Sequence, residues 1–149
     1  GHILNYIGDC IMVVFGAPEE MDNHENQAIK CAVKMREKLD ELNSMWDESE
    51  LSRYWLNHGI EKITARTGVH TGSIIAGNIG SERMLQYSAI GDVVNVASRL
   101  EQANKEFGTD IAFSKEIYTA LTKDLNSEAK SQGAISLKGR EGETQVYSI

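Results

Sequence analysis

The period at which apolar residues recur changes several times along the chain, and each change marks an element. Between residues 3 and 15 two apolar runs flank Gly8-Asp9, a dipeptide suited to a tight turn, so a β-hairpin is predicted. Asp22 with Glu25 three residues on has capping-box spacing and predicts a helix start. Ala28, Ala32, Met35, Leu39, Leu42 and Trp46 then recur at alternating steps of four and three, the stripe of a long amphipathic helix laid on a sheet. The same spacing would serve a coiled coil. Residues 47–60 are polar, aromatic and aperiodic, and predict a loop or an irregular helix end.

Strands are predicted at 63–70 and 73–79, joined by Thr71-Gly72, and a short extended stretch at 87–90. Asp92 is the expected N-cap of a helix carrying Val94, Val96, Ala97 and Leu100. A short strand at 111–113 leads to Ser114, which is expected to cap a helix with Ile117, Ala120 and Leu121. Two last strands fall at 134–138 and 144–148, with Gly139 and Gly142 between them. No internal repeat is found. Helices and strands mix through hairpins rather than regular βαβ alternation, so the fold class is α+β, a mixed-sheet α/β sandwich.

The length of 149 residues suits a single domain over 1–149. The 22 acidic residues outnumber the 15 basic ones, which speaks against a nucleic-acid partner held by phosphate neutralisation. Nucleotide binding stays open, since it needs only a few well-placed cations. The longest apolar run, 10–18, is far short of a membrane span of roughly 20 residues, and no signal-peptide pattern opens the chain. Cys10 and Cys31 form no CxxC and read as free thiols of a reducing, cytoplasmic setting, with any membrane anchor outside this segment. The chain opens on Gly1 with strand-like residues at once, so it is expected to be cut inside a domain, N-terminally truncated.

Several side chains are candidates for chemistry. Asp9 at a hairpin tip offers a hard carboxylate of the kind Mg²⁺ takes, although Gly-Asp at a turn is more often structural. Asn95 and Arg99 lie four apart on one helix face, where an amide and a forked cation suit a phosphate or a developing oxyanion; the alternative is a solvated polar stripe. Gly72, Gly77 and Gly80 match neither a Walker loop nor GxGxxG and read as turns and close sheet packing. Lys138-Gly139 is a weak cation signal, and His2, His24, His58 and His70 lack zinc spacing.

Read together, YIGDCIMVVFGAP at 6–18, TGVHTG at 67–72, AGNIGS at 76–81, YSAIGDVVNVASRLE at 87–101 and LKG at 137–139 closely resemble the catalytic domain of class III nucleotidyl cyclases. The resemblance covers essentially the whole chain in order. It implies a ferredoxin-like core, here lacking its first strand and helices, that works as a head-to-tail homodimer with sites at the interface. The implied reaction converts ATP, or GTP, to the 3′,5′-cyclic nucleotide and pyrophosphate with two divalent ions, Mg²⁺ or Mn²⁺. Asp9 matches the second metal aspartate of the family; the first, with the triphosphate cradle, belongs before residue 1. By the same resemblance Asn95 orients the ribose, Arg99 stabilises charge on the α-phosphate, and Lys138 and Arg83 meet the triphosphate. Asp9 and Arg83 serve a site from one subunit, and Asn95, Arg99 and Lys138 from the other.

One pair departs from the family pattern. Asn5 stands where adenylyl cyclases usually carry Lys and guanylyl cyclases Glu, and its partner is Ser88. An amide and a hydroxyl can each donate and accept, so the pair suits either purine. The expectation is a phosphorus–oxygen lyase of intracellular signalling that favours ATP, with regulatory or membrane-anchoring domains outside this segment. The alternatives are a catalytically silent nucleotide-binding or regulatory domain of the same fold, and a plain dimerisation module, which leaves the polar set unexplained.

Overall fold

The structure, a computed structural model, describes residues 1–81, 84–136 and 143–149. Strands β1 (His2–Ile7) and β2 (Cys10–Val14) pair antiparallel, with Ile7 opposite Cys10. Only Gly8 and Asp9 turn the chain, and Gly8 takes φ 63°, the left-handed conformation that a two-residue hairpin asks of its first central position. The register slips by one residue between Ile3 and Asn5, a bulge at Leu4 that turns a side chain of β1 inward, since Leu4 is buried.

Helix α1 (His24–Glu48) starts after Asn23, which is left-handed at φ 56° and makes no side-chain cap bond. The predicted capping box does not form. Glu25 is taken up by His24, 3.0 Å away, and by the Thr71 hydroxyl, which donates to it at 3.3 Å. The buried face also differs from the predicted stripe: Met35 and Leu42 are 50% and 40% exposed, whereas Asn26, Ile29, Ala32 and Asn43 are buried. The two asparagines rotate the face because each binds a loop backbone twice. Asn26 donates to Ala120 O at 3.0 Å and accepts from Thr122 N at 2.8 Å. Asn43 donates to Ile63 O at 2.9 Å and accepts from Ile63 N at 3.0 Å. Both amides are thereby satisfied inside the protein, where an unpaired one would be costly.

The central sheet runs β3 (Thr67–Val69), β6 (Ile111–Ser114), β8 (Glu143–Ser148), β7 (Lys130–Ser136), with β3 parallel to β6 and the other neighbours antiparallel. The predicted strand at 63–70 thus shrinks to three residues, its start being tied to α1 through Ile63. Every residue of β6 is buried. Ile111 and Phe113 pack with Ile29 and Ala32 of α1, Ile117 of α4 (Lys115–Ala120) and Leu125 of α5 (Lys123–Glu128). Ala112 and Val146 pack on the other face, against Val96 and Leu100 of α3 (Asp92–Phe107). A strand buried on both faces reads as an unbroken apolar run, which is why 111–113 was legible.

Strands β4 (Ile75–Ser81) and β5 (Met84–Ile90) form a separate hairpin, so Thr71-Gly72 joins strands of different sheets. A one-turn helix α2 (Arg53–Leu56) lies in the aperiodic stretch. Gly91 rather than Asp92 is the N-cap of α3, with Asp92 in its first turn. Ser114 does precede α4 as its N-cap, but its hydroxyl is bound to His70 Nδ1 at 2.8 Å instead of capping. The Asp124 carboxyl, exposed in the first turn of α5, is lowered from its ordinary value by hydrogen bonds from the Thr122 hydroxyl and then the Leu125 amide. Both cysteines are free thiols, and no described helix is long and apolar enough to cross a membrane.

If the asparagine face holds α1 in place, Asn26→Ala and Asn43→Ala each cost about 1–3 kcal/mol, since each removes two hydrogen bonds between the helix and a distant backbone segment. Met35→Ala and Leu42→Ala, on the exposed side, cost about 0.5 kcal/mol or less. Urea midpoints of the four variants read this order directly, and the reverse order would restore the face predicted from the apolar spacing.

Candidate functional site

Three elements carry the site residues that the structure describes. Asp9 is exposed at the tip of the β1–β2 turn. Asn5 follows the Leu4 bulge on β1 and is half-buried, as is Ser88 in the middle of β5. Strand β1 packs on β5, and the ring of His2 meets that of Tyr87 edge-on, 5.4 Å between centroids. Asn5 and Ser88 therefore come from adjoining strands of two different hairpins. The bulge sits immediately before Asn5, a place where such irregularities commonly re-aim a functional side chain.

Gly77 lies directly across from Ser88, and a Cβ built on it would have nothing within 4 Å. The prediction of a turn or a close-packed contact at Gly77 is thereby corrected. It is a mid-strand glycine that leaves open surface beside Ser88, the use of glycine expected where a ligand approaches a sheet. Gly72 does make a close contact, since a Cβ there would meet Val93 at 2.8 Å.

Helix α3 leaves the end of β5 and presents Asn95 and Arg99 on an exposed face, while Val96, Leu100, Ala103 and Asn104 are buried. The division follows from the 3.6-residue repeat, which separates the apolar from the polar positions. Asn5, Asp9, Ser88, Asn95 and Arg99 make no side-chain hydrogen bond or ion pair among the described residues. Their polar atoms are uncommitted, and Asn95 and Arg99 lie one turn apart on the exposed face, an amide beside a forked cation of the kind that binds phosphate oxygens. Arg83 and Lys138 lie outside the described residues.

Asp9 and the α3 pair are not joined by any bond among the described residues. None of the five lines the cavity between α1 and residues 62–67 or the one at the start of α1. No group of three or more His, Cys, Asp or Glu side chains able to hold a metal is gathered among the described residues. Asp9 alone is one carboxylate, which fits a hard cation only as one ligand beside phosphate oxygens or further carboxylates.

Two residues escaped the sequence reading. Gly68 lets the backbones of β3 and α3 touch, since a Cβ there would overlap Ala97 O and Glu101 N. Asn104 is 1% exposed and fully hydrogen-bonded. Its only sequence signal is a polar residue at a position in step with Val96 and Leu100.

The family described as adenylate and guanylate cyclase catalytic domain matches residues 3–149. Adenylate cyclase 1 of Rhizobium meliloti is 34% identical over the whole chain, which corresponds to 21% of that protein. The chain thus spans about a fifth of that relative's length. Among solved structures, the adenylyl cyclase CyaB from P. aeruginosa is 29% identical with a TM-score of 0.72, over 99% of this chain and 70% of that one. The guanylyl cyclase Cya2 is 26% identical with a TM-score of 0.77, over 99% and 68%.

Proposed function

Because the chain belongs to the adenylate and guanylate cyclase catalytic domain family, we propose that it supplies the nucleotide-gripping parts of a cyclase that turns ATP into 3′,5′-cyclic AMP and pyrophosphate. The observation that carries this reading is the pair Asn95 and Arg99, one turn apart on the exposed face of α3 and bonded to nothing in the described residues. In the reaction the ribose 3′-oxygen bonds to the α-phosphorus while the bond to the bridging oxygen breaks. The hydroxyl proton passes to solvent water, and pyrophosphate leaves with the bridging oxygen. Negative charge grows around the α-phosphorus, and the Arg99 guanidinium opposes it. Asn95 holds the ribose so that its 3′-oxygen stays in line. Arg83 and Lys138 take the outer phosphates.

Two divalent ions, Mg²⁺ or Mn²⁺, would activate the oxygen and neutralise phosphate charge, and Asp9 would lend one carboxylate to them. The site is proposed to be composite, with Asp9 and Arg83 from one subunit of a head-to-tail homodimer and Asn95, Arg99 and Lys138 from the other. The exposed Ile3, Tyr6, Ile7 and Ile11 of the first hairpin and Ile75, Leu85 and Ile90 of the second support this. Apolar side chains in such numbers favour a partner over water. A further carboxylate and a phosphate cradle would complete the site. The reading sets the domain in the cytoplasm, in keeping with its two unpaired thiols.

In the full-length protein, Asp9→Asn and Arg99→Ala are each expected to lower kcat, the latter by about 10²–10³ as for a lost oxyanion donor. Mixed in equal amounts they regain about one quarter of the wild-type rate, because half of the dimers are mixed and each holds one intact site. Cyclic nucleotide assays on the mixture, with mixed dimers verified by a tag pull-down, test this, and no recovery contradicts the shared site.

Asn5 and Ser88 carry no fixed hydrogen-bond polarity, so neither purine leaves a buried group unpaired. The kcat/KM ratio of ATP to GTP is expected to stay within about 10² and to rise in Asn5→Lys, whose ammonium can only donate. A wild-type ratio beyond about 10⁴ would assign purine reading to other residues.

A further inference from the structure

We propose that Asn104, locked by Thr109, is a positioning residue for Arg99. The inference deepens the reading of Arg99 given above and rests on it. Asn104 lies in the last turns of α3, five residues beyond Arg99, and is 1% exposed. Its amide nitrogen lies 2.9 Å from Thr67 O on β3, and 3.2 Å from Leu100 O and Glu101 O of its own helix. Its amide oxygen accepts from the Thr109 hydroxyl at 2.7 Å, and its backbone carbonyl accepts from Thr109 N at 3.0 Å. Thr67 N in turn donates to Asp110 O at 2.8 Å. One side chain therefore ties together strand β3, the end of α3 and the loop that leads into β6.

An apolar side chain at 104 would fill the space equally well and bury no amide. It would also let the helix slide or turn on the sheet, whereas two hydrogen-bonding directions admit a single register. At Gly68, the next residue of β3, the strand meets Ala97 O and Glu101 N of α3 with no side chain between them. These contacts bracket Arg99. The guanidinium is exposed and has no internal bond among the described residues, so its reach is set by where the helix backbone lies. A shift of about 1 Å in a group that acts on the reacting phosphate costs on the order of 10²-fold in rate.

Asn104→Leu is the direct variant but disturbs the core, so the test uses Thr109, which is only half-buried. In the full-length protein, Thr109→Val removes the bond that fixes the Asn104 amide and keeps the shape; Thr109→Ser keeps the bond. Thr109→Val is expected to lower kcat about 10-fold with KM changed by less than about 2-fold, and Thr109→Ser to restore kcat. Introduced into Arg99→Lys, the same Thr109→Val lowers kcat by less than about 2-fold further, because the group it positions is already altered. Its effect on Tm is the same in both backgrounds. Equal losses of kcat in the two backgrounds, or no loss in either, overturn the inference while leaving Arg99 in its role. Wild-type kcat in Arg99→Lys, or a wild-type protein that forms no cyclic nucleotide, overturns the reading of Arg99 and the inference with it.

Discussion

Where β3 passes under α3, the two backbones meet at Gly68 with no side chain between them, and Asn104 closes the contact one turn further along. Most helices ride on a sheet at the distance set by interleaved apolar side chains. Here part of the separation is set by backbone atoms and hydrogen bonds, which tolerate less displacement than apolar packing does. The consequence runs outward along α3. Its inner face, Val96 and Leu100, is fixed against Ala112 and Val146, and its outer face therefore holds Asn95 and Arg99 at a defined height above the sheet.

The rest of the candidate site is arranged by comparable local means. Gly8 makes a two-residue turn possible, and the turn exposes Asp9. The bulge at Leu4 precedes Asn5, and the absent side chain of Gly77 clears the surface beside Ser88. Three features of backbone geometry thus decide the surroundings of three candidate side chains. The side chains of Asn5, Asp9, Ser88, Asn95 and Arg99 are left without hydrogen-bond or ion-pair partners among the described residues.

Local chemistry made some of this legible. The first hairpin follows from Gly8-Asp9, and the face of α3 from the separation of Val96 and Leu100 from Asn95 and Arg99. The face of α1 did not, because counting apolar residues selects Met35 and Leu42 and passes over Asn26 and Asn43. Those amides are buried for the loops they bind, and the loops are distant in sequence. The failed cap at Asp22 has a similar cause: Glu25 is engaged by Thr71, a tertiary partner. Helix α5 was missed because six residues carry too little periodicity to register. Among the candidate residues, Asp9, Asn95 and Arg99 are suggested by local pattern as well as by the family resemblance, whereas Asn5 and Ser88 rest on the resemblance alone. Gly68 and Asn104 were not found, since a contact between backbones leaves no hydrophobic pattern.

The central claim is that α3 delivers Arg99 to the α-phosphate of a nucleotide whose other side meets Asp9 of a second subunit. The most direct measurement is a crystal structure of the full catalytic dimer with an ATP analogue that lacks the 3′-hydroxyl and so cannot cyclise. The account predicts the Arg99 guanidinium within hydrogen-bond distance of the α-phosphate oxygens, and Asp9 of the opposite subunit facing the same phosphates. Arg99 turned to solvent, or Asp9 and Arg99 of a single subunit meeting at one nucleotide, would contradict it.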